Sequence, residues 1–207
     1  MIVEGRTGLI SAADGALNPL RIDKTGAMTI VSAHALYSEA CLRGNMFVAS
    51  TAVTGIAPGT ALSSTPPLAL LNPLNSGMDV VILKTSVGYV SGTLGAGNIV
   101  YAYYTPQATI PTGGTELSTV CTKIGQTKGA ARAFQGSTIA GTPLIIRPAF
   151  NLGAFLATTA EGIRTCVDLL EGEIIVPPAT IFVMQGVAAA GSTPLVMLSM
   201  VWEEMKI

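Results

Sequence analysis

The most apolar stretch of the chain, residues 174–204, carries no charge before its two final glutamates. It is long enough for a membrane helix, which needs about 20 apolar residues. However, a Pro-Pro pair, a glycine and a Gly-Ser-Thr-Pro segment divide it into pieces of strand length that are rich in β-branched and aromatic residues. The pattern therefore predicts two strands, residues 180–187 and 195–202, joined by a small-residue turn, in preference to a core helix or a membrane span.

The second of these strands is apolar on both faces. A period of two places four large side chains on one face, namely Val196, Leu198, Met200 and Trp202. The other face consists of Leu195, Met197, Ser199 and Val201. Such a strand either lies inside the fold or has its outer face against a partner. We therefore predict Leu195, Met197 and Val201 as interface residues.

Similar strand-like runs recur along the chain, separated by turn-forming segments such as NPLNSG, SGTLGAG, PTGGT and LEGE. The runs are residues 27–32, 46–51, 68–71, 78–90, 98–104, 143–147, 163–170 and 173–176. Many short strands without alternating helices indicate an all-β sandwich or barrel. For this number of strands we predict a jelly-roll-like β-sandwich with an extended N-terminal arm and long loops.

The clearest single strand lies in residues 79–89. Its apolar set, Val81, Leu83, Val87 and Tyr89, alternates with a more polar set of Lys84, Ser86 and Gly88. This alternation predicts a strand that is covered on one side and open to solvent on the other.

The segment SAHALYSEACLRG, residues 32–44, is ambiguous. It is compatible with a short helix that ends at Gly44, but Leu36, Ala40 and Leu42 also fit an alternating pattern. We favour an extended conformation.

The first 26 residues lack the apolar periodicity needed to pack as a unit, and we predict an extended arm at 1–26 and a single sandwich domain at 27–207. Residues 105–119 and 123–142 are predicted as long loops. Four charged residues of the arm are candidate contacts with a neighbouring subunit, namely Arg6, Arg21, Asp23 and Lys24. Solvated charges are the equally weighted alternative.

Composition narrows the class further. Charged residues make up 11% of the chain, against about 25% in typical domains, and the mean hydropathy is +0.56. A neutral surface of this kind suits a protein that is covered by other subunits. The net charge is −1 and the basic residues are scattered, so direct nucleic-acid binding is not expected. A membrane partner is not expected either.

The three cysteines are widely spaced and fit neither a disulfide framework nor a zinc site, so we expect reduced, buried thiols. The N-terminus lacks the apolar core of a signal peptide, which predicts synthesis and assembly in a host cytoplasm.

No catalytic motif emerges. GTLGAG has the wrong spacing for a dinucleotide-binding loop and is interpreted as a hairpin turn. Ser91 in GYVSG lies one place too late for a nucleophile elbow, and the single histidine, His34, lies in the uncertain N-terminal region. We therefore predict no enzyme, no catalytic residue and no cofactor.

Carboxylates and aromatics give only weak signals. Asp168, Glu171 and Glu173 flank Gly172, so we interpret them as solvated turn charges, with a divalent ion as the alternative. The adjacent glutamates 203 and 204 are a possible acid/base pair, but the sequence places no other polar group beside them. The YAYY cluster, residues 101–104, is assigned to core and cross-strand packing.

Three segments carry a family resemblance: NPLRIDKTGAMTIV, LLNPLNSGMDVVILKTSVGYVSGTLGAG, and EGEIIVPPATIFVMQG with the later LVMLSMVWEE. They resemble structural proteins of tailed bacteriophages, and more narrowly head decoration or cement proteins. The resemblance implies a jelly-roll-like body, often a trimer, that sits on the outside of the virion capsid and clamps neighbouring major capsid subunits. It carries over no functional residue.

Three alternatives stay open. The chain could occupy another virion position, in the tail or at a fibre base. It could be a self-sufficient coat protein, against which the missing basic arm argues. It could also be a glycan-binding β-sandwich module or a hydrolase, for which Tyr103 and His34 are the residues to test.

Overall fold

The computed structural model describes residues 35–104, 109–127, 129–152, 165–187 and 191–207. The chain divides into two compact units, Met1–Glu39 and Ala40–Ile207, and all the described strands belong to the second. The predicted arm at 1–26 and the predicted strand at 27–32 lie outside the described residues.

The described residues form one short helix, α1 (Ser38–Leu42), and eleven strands. The strands are β1 (Met46–Ser50), β2 (Leu68–Asn72), β3 (Met78–Ser91), β4 (Asn98–Tyr104), β5 (Thr115–Leu117), β6 (Val120–Cys121), β7 (Arg132–Gln135), β8 (Leu144–Asn151), β9 (Thr165–Val176), β10 (Thr180–Val187) and β11 (Leu195–Lys206). Most of the strand-like runs predicted from residue 46 onwards match observed strands within a few residues. The extended conformation favoured for residues 32–44 was wrong for residues 38–42, which form helix α1. The helix is followed by Gly44, whose φ of 75° allows the chain to turn.

All strand pairs are antiparallel, and they form two sheets packed face to face. One sheet has five strands in the order β6-β1-β11-β3-β9, and the other has six in the order β5-β7-β2-β10-β4-β8. The predicted all-β sandwich is therefore confirmed. The apolar stretch near the C-terminus forms β10 and β11, as predicted, but the two strands belong to different sheets.

The core lies between the sheets. The predicted inner face of β11 is confirmed, because Val196, Leu198, Met200 and Trp202 are all at most 1% exposed. They meet Leu68, Leu70, Phe182, Met184 and Tyr101 from the opposite sheet. Burial of this apolar surface is the main driving force for the two sheets to pack.

The six-stranded sheet is also covered on its other face. Ala69, Leu71, Tyr104, Ile181 and Val183 point away from the main core and are each at most 2% exposed. The loop between β1 and β2 runs across this face, where the Tyr104 hydroxyl donates a hydrogen bond to the Ser63 carbonyl at 2.7 Å. A second such bond joins the backbone amide of Ser63 to the side-chain oxygen of Gln185, at 3.1 Å. The central strands of this sheet are thus buried on both sides.

Strand β3 changes phase in its middle. Val87 and Tyr89 pack against the core as predicted, but Val80 and Ile82 replace Val81 and Leu83 on that face. The pairing with β11 and with β9 skips Leu83, which makes it an extra residue in the ladder. A bulge of this kind shifts the alternation by one residue.

The turn predicted around Gly172 is also a bulge. Residues 170–173 lie opposite Leu83 of β3, and the ladder resumes on both sides of them within the single strand β9. Glu171 and Gly172 take φ values of 47° and 96°. The two predicted runs on either side of the bulge are therefore one strand.

Three short strands were missed. β5, β6 and β7 fall in or beside the segments predicted as long loops. They contain at most four residues each, which is too short for an alternating pattern to appear. The GTLGAG segment joins β3 to β4, which lie in different sheets, so its interpretation as a hairpin turn was wrong.

Candidate interaction surface

The predicted interface residues fall into two groups. Arg6, Arg21, Asp23 and Lys24 lie outside the described residues, as does His34. Leu195, Met197 and Val201 all lie in β11 and are half-buried. Their role at an interface stays a prediction.

Val201 belongs to a row of side chains that crosses the whole five-stranded sheet on the side away from the core. The strand register places these residues next to one another in the order Val120, Val48, Val201, Lys84 and Leu169. We call this set the valine row. Its two ends are the most open, since Val120 is 52% and Leu169 61% exposed.

A second row lies one step along the strands and is made of smaller side chains. It runs through Ser50, Ser199, Ser86 and Val167, and we call it the serine row. The hydroxyls of Ser86 and Ser199 are hydrogen-bonded to each other at 2.8 Å. These two hydroxyls therefore have a protein partner whether or not water is present.

Two flanking rows lie on the same side of the sheet. One contains Met197, Gly88 and Thr165, and the other contains Met46, Glu203, Val81 and Ile175. We call the four rows together the outer face. Leu195 is not part of it, because the register shifts between Leu195 and Val196 and Leu195 packs beside Gly55 and Val90.

A second apolar surface lies on β8, at the edge of the six-stranded sheet. Leu144, Ile145 and Ile146 are consecutive and between 41% and 52% exposed. Among the described strands, β8 pairs only with β4. An apolar edge strand of this kind is a place where another chain can bind.

The polar groups nearest to this edge form a closed cluster. Arg147 Nη2 donates to Asp168 Oδ2 at 2.9 Å and to Glu173 Oε2 at 3.1 Å. The Tyr101 hydroxyl donates to Asp168 Oδ2 at 2.9 Å and is also bonded to Thr85. The Arg147 guanidinium lies 5.1 Å from the centre of the Tyr101 ring. Arg147 is on β8 and Asp168 on β9, so the cluster links the edges of the two sheets.

This arrangement corrects the interpretation of Asp168 and Glu173 as solvated turn charges, whereas Glu171 is exposed, as that interpretation predicted. Asp168 and Glu173 are held by Arg147, because the bulge in β9 keeps both on the strand that faces β8. Within the described ranges, no three His, Cys, Asp or Glu side chains are grouped so that they could hold a metal ion.

The tyrosines of YAYY divide between core and surface. Tyr101 and Tyr104 are fully buried, as the packing assignment predicted, whereas Tyr103 is 36% exposed. Burial raises the pKa of Tyr104 from 10.0 to about 12. Burial is also the main cause that raises the pKa of Tyr101, and the neighbouring Asp168 adds to it.

We expect these two tyrosines to ionise only as the protein unfolds in alkali. Because their pKa values are higher in the folded than in the unfolded chain, the stability they contribute is complete below pH 10 and is lost as the pH rises towards the folded values. Ultraviolet absorbance and circular dichroism, titrated together, measure ionisation and unfolding. Ionisation of all five tyrosines near pH 10 with unchanged circular dichroism would contradict the prediction.

Glu203 and Glu204 lie on opposite faces of β11, which excludes an acid/base pair between them. Glu204 is 6% exposed. Its carboxylate accepts hydrogen bonds from the amides of Ala130 and Ala131, at 2.8 and 2.9 Å, and from the Trp202 indole at 3.3 Å. Sequence reasoning missed this role, although the period of two through Trp202 continues onto Glu204.

The cysteines are all free, but only Cys121 is buried. Cys166 is exposed because it lies on β9, an edge strand of its sheet, so the expectation of three buried thiols was wrong. No helix in the described part of the chain has the length and apolar character needed to cross a membrane.

No protein-family model, curated protein or solved structure matches the chain. The fold and the two apolar surfaces are therefore the observations from which a function has to be inferred.

Proposed function

We propose that this chain is a non-enzymatic structural virion protein that binds the outside of a phage capsid and stabilises it by clamping neighbouring major capsid subunits. The observation that supports the proposal best is the presence of two separate apolar surfaces, the outer face and the β8 edge, on a body with few charges. A clamp needs at least two contact surfaces, because it has to hold more than one neighbour.

The energetics of a clamp suit such surfaces. Buried apolar area contributes about 25 cal/mol per Å², although the cost of association prevents a direct conversion of area into affinity. Once one surface has bound a subunit, the other surface meets the next subunit at a high effective concentration, so several weak contacts together give firm attachment. The family resemblance of the three sequence segments points to the same role.

The direct test is binding to head shells prepared without this protein. We expect the full chain to co-sediment with shells at saturable stoichiometry and to raise the temperature at which the shells come apart. Electron microscopy of the complex locates the bound protein. Saturable binding to tails and not to shells would contradict the capsid position and support the tail or fibre-base alternative.

The predicted arm gives a more specific expectation. Deleting residues 1–26 should abolish shell binding while the circular dichroism of the body stays unchanged, because the arm is expected to reach a neighbouring subunit. Alanine at Arg6, Arg21, Asp23 and Lys24 together, in the full chain, tests the charged contacts alone, and we expect about 10-fold weaker binding from lost rim contacts. Full binding by the deletion variant would show that the arm has no such role.

A further inference from the structure

We propose that the outer face of the five-stranded sheet binds the outer face of a second copy of this chain, so that the building unit is a dimer with twofold symmetry. The inference concerns only contacts between copies and holds whether or not the protein belongs to a virion. It leaves the β8 edge and the arm for other partners.

The first argument is the contrast between the two sheets. The central strands of the six-stranded sheet are covered by the chain's own loops on the side away from the core. The outer face of the five-stranded sheet instead keeps Val167, Leu169 and Ile175 more than half exposed, at 55%, 61% and 56%. Isolated exposed apolar residues are normal, but these three follow one another along the outer side of the edge strand β9, and a continuous apolar patch is typical of an interface.

The second argument is the shape of the outer face. The valine row carries larger side chains than the serine row next to it, and both rows run across the strands. A twofold axis parallel to the rows and midway between them lays the valine row of each copy onto the serine row of the other. The same surface then supplies both the ridge and the groove, which is the requirement for a closed contact between two identical faces.

The third argument concerns polar groups and charge. The Ser86 and Ser199 hydroxyls are bonded to each other, so covering them leaves neither without a partner. The charged residues of the four rows are Lys84 and Glu203, which have opposite signs. Two copies can therefore meet without net repulsion.

The area is sufficient. The valine row has five residues, the serine row four, and the flanking rows three and four, so the outer face has sixteen positions. At standard strand spacings these cover about 500 Å² for each copy. Two copies then bury about 1,000 Å² in total, which is the lower limit for a specific interface and above the usual size of crystal contacts. Sheets pack well face to face, as they do within this sandwich.

The test measures the native mass of the full chain by light scattering on a sizing column and by sedimentation equilibrium, in reducing buffer. We expect a dimer in reversible exchange with monomer. Leu169→Glu and Val201→Glu each place a carboxylate beside Lys84 in the valine row, and we expect each to weaken dimerisation by about 10-fold or more, because desolvating the carboxylate costs more than an ion pair with Lys84 returns.

Leu74→Glu is the matched control. Leu74 is 57% exposed, close to the 61% of Leu169, but it lies in the turn between β2 and β3, outside the outer face. This variant should dimerise like the unaltered chain. If Val201→Glu fails to fold, Leu169→Glu decides the question, since its side chain is largely open to solvent.

Several outcomes would overturn the proposal. A monomeric unaltered chain would show that the arm, a capsid subunit or solvent covers the outer face instead. A trimer or larger assembly that both glutamate variants leave intact would place the contact between copies on another surface.

Discussion

Replacing Gly92 by alanine is expected to destabilise the fold by about 4 kcal/mol and to lower the melting temperature by about 10–15 °C. Gly92 has a φ of 82°, which L-residues with a side chain rarely adopt. A Cβ atom added there would lie 2.0 Å from the carbonyl oxygen of Thr193 and 2.6 Å from its carbonyl carbon. Such a contact cannot be relieved by a side-chain rotation, because the obstructing atoms belong to the backbone.

The neighbouring backbone has little freedom to move. The turn after β3 and the turn before β11 are joined by a hydrogen bond from the Thr93 amide to the Ser192 carbonyl, at 3.0 Å. The Tyr89 hydroxyl is bonded to the Gly92 carbonyl. From the other turn, a Cβ on Gly191 would lie 2.0 Å from the Thr93 carbonyl oxygen. The two turns therefore meet backbone to backbone, and each requires a glycine.

Gly77→Ala separates the two causes of the expected loss of stability, which are the cost of a positive φ and the clash of the added Cβ with backbone atoms. Gly77 also has a positive φ, 66°, but an added Cβ would meet nothing within 4 Å. This variant should lose only the conformational cost, about 1–2 kcal/mol. Chemical denaturation of both variants measures the difference, and equal losses would show that the close approach of the two turns contributes nothing.

The close contact of these turns illustrates what could not be predicted from the sequence. GTLGAG and GSTP were both recognised as turns from their composition. Whether these two turns meet depends on which strands share a sheet. Strands β3 and β4 lie in different sheets, and so do β10 and β11. A turn between neighbouring strands in sequence has the same local signals whether the chain forms a hairpin or crosses to the other sheet.

Periodicity predicted the core where the ladders are regular and failed where they are not. The alternation in β11 correctly assigned Val196 to Trp202 to the inner face, and its continuation would have assigned Glu204 there too. In β3 the same method misplaced Val81 and Leu83, because one extra residue at Leu83 reverses the alternation. A bulge has no strong signal of its own when the residues around it are all apolar.

The outer face was predicted in part. Met197 and Val201 were identified because they lie on the second apolar face of one strand. Val48, Leu169 and Val120 could not be added, because strand order and register bring them beside Val201. Strand order depends on packing between distant segments, and a single sequence does not contain enough local information to determine it.

Glu204→Gln is expected to cost about 2–3 kcal/mol, the second large effect, although the two side chains have nearly the same shape. The carboxylate accepts from two adjacent backbone amides with its two oxygens, Oε2 with Ala130 and Oε1 with Ala131. Glutamine has only one such oxygen, so its amide group would bring a donor towards a donor. Buried donors without an acceptor are costly, and hydrogen bonds to a charged group are stronger than neutral ones.

Glu203→Gln is the matched control, because it changes the same group on the next residue of β11 but on the outer face. It should change stability by less than about 0.5 kcal/mol. Hydrogen exchange gives the second measurement: in Glu204→Gln the amides of Ala130 and Ala131 should lose more protection than the amides of β7 and β11. The segment before β7 fits closely around this carboxylate, since a Cβ on Gly129 would lie 2.2 Å from Glu204 Oε1. Unchanged protection of both amides would mean that the contacts among β7 and its neighbours, and not Glu204, hold the loop in place.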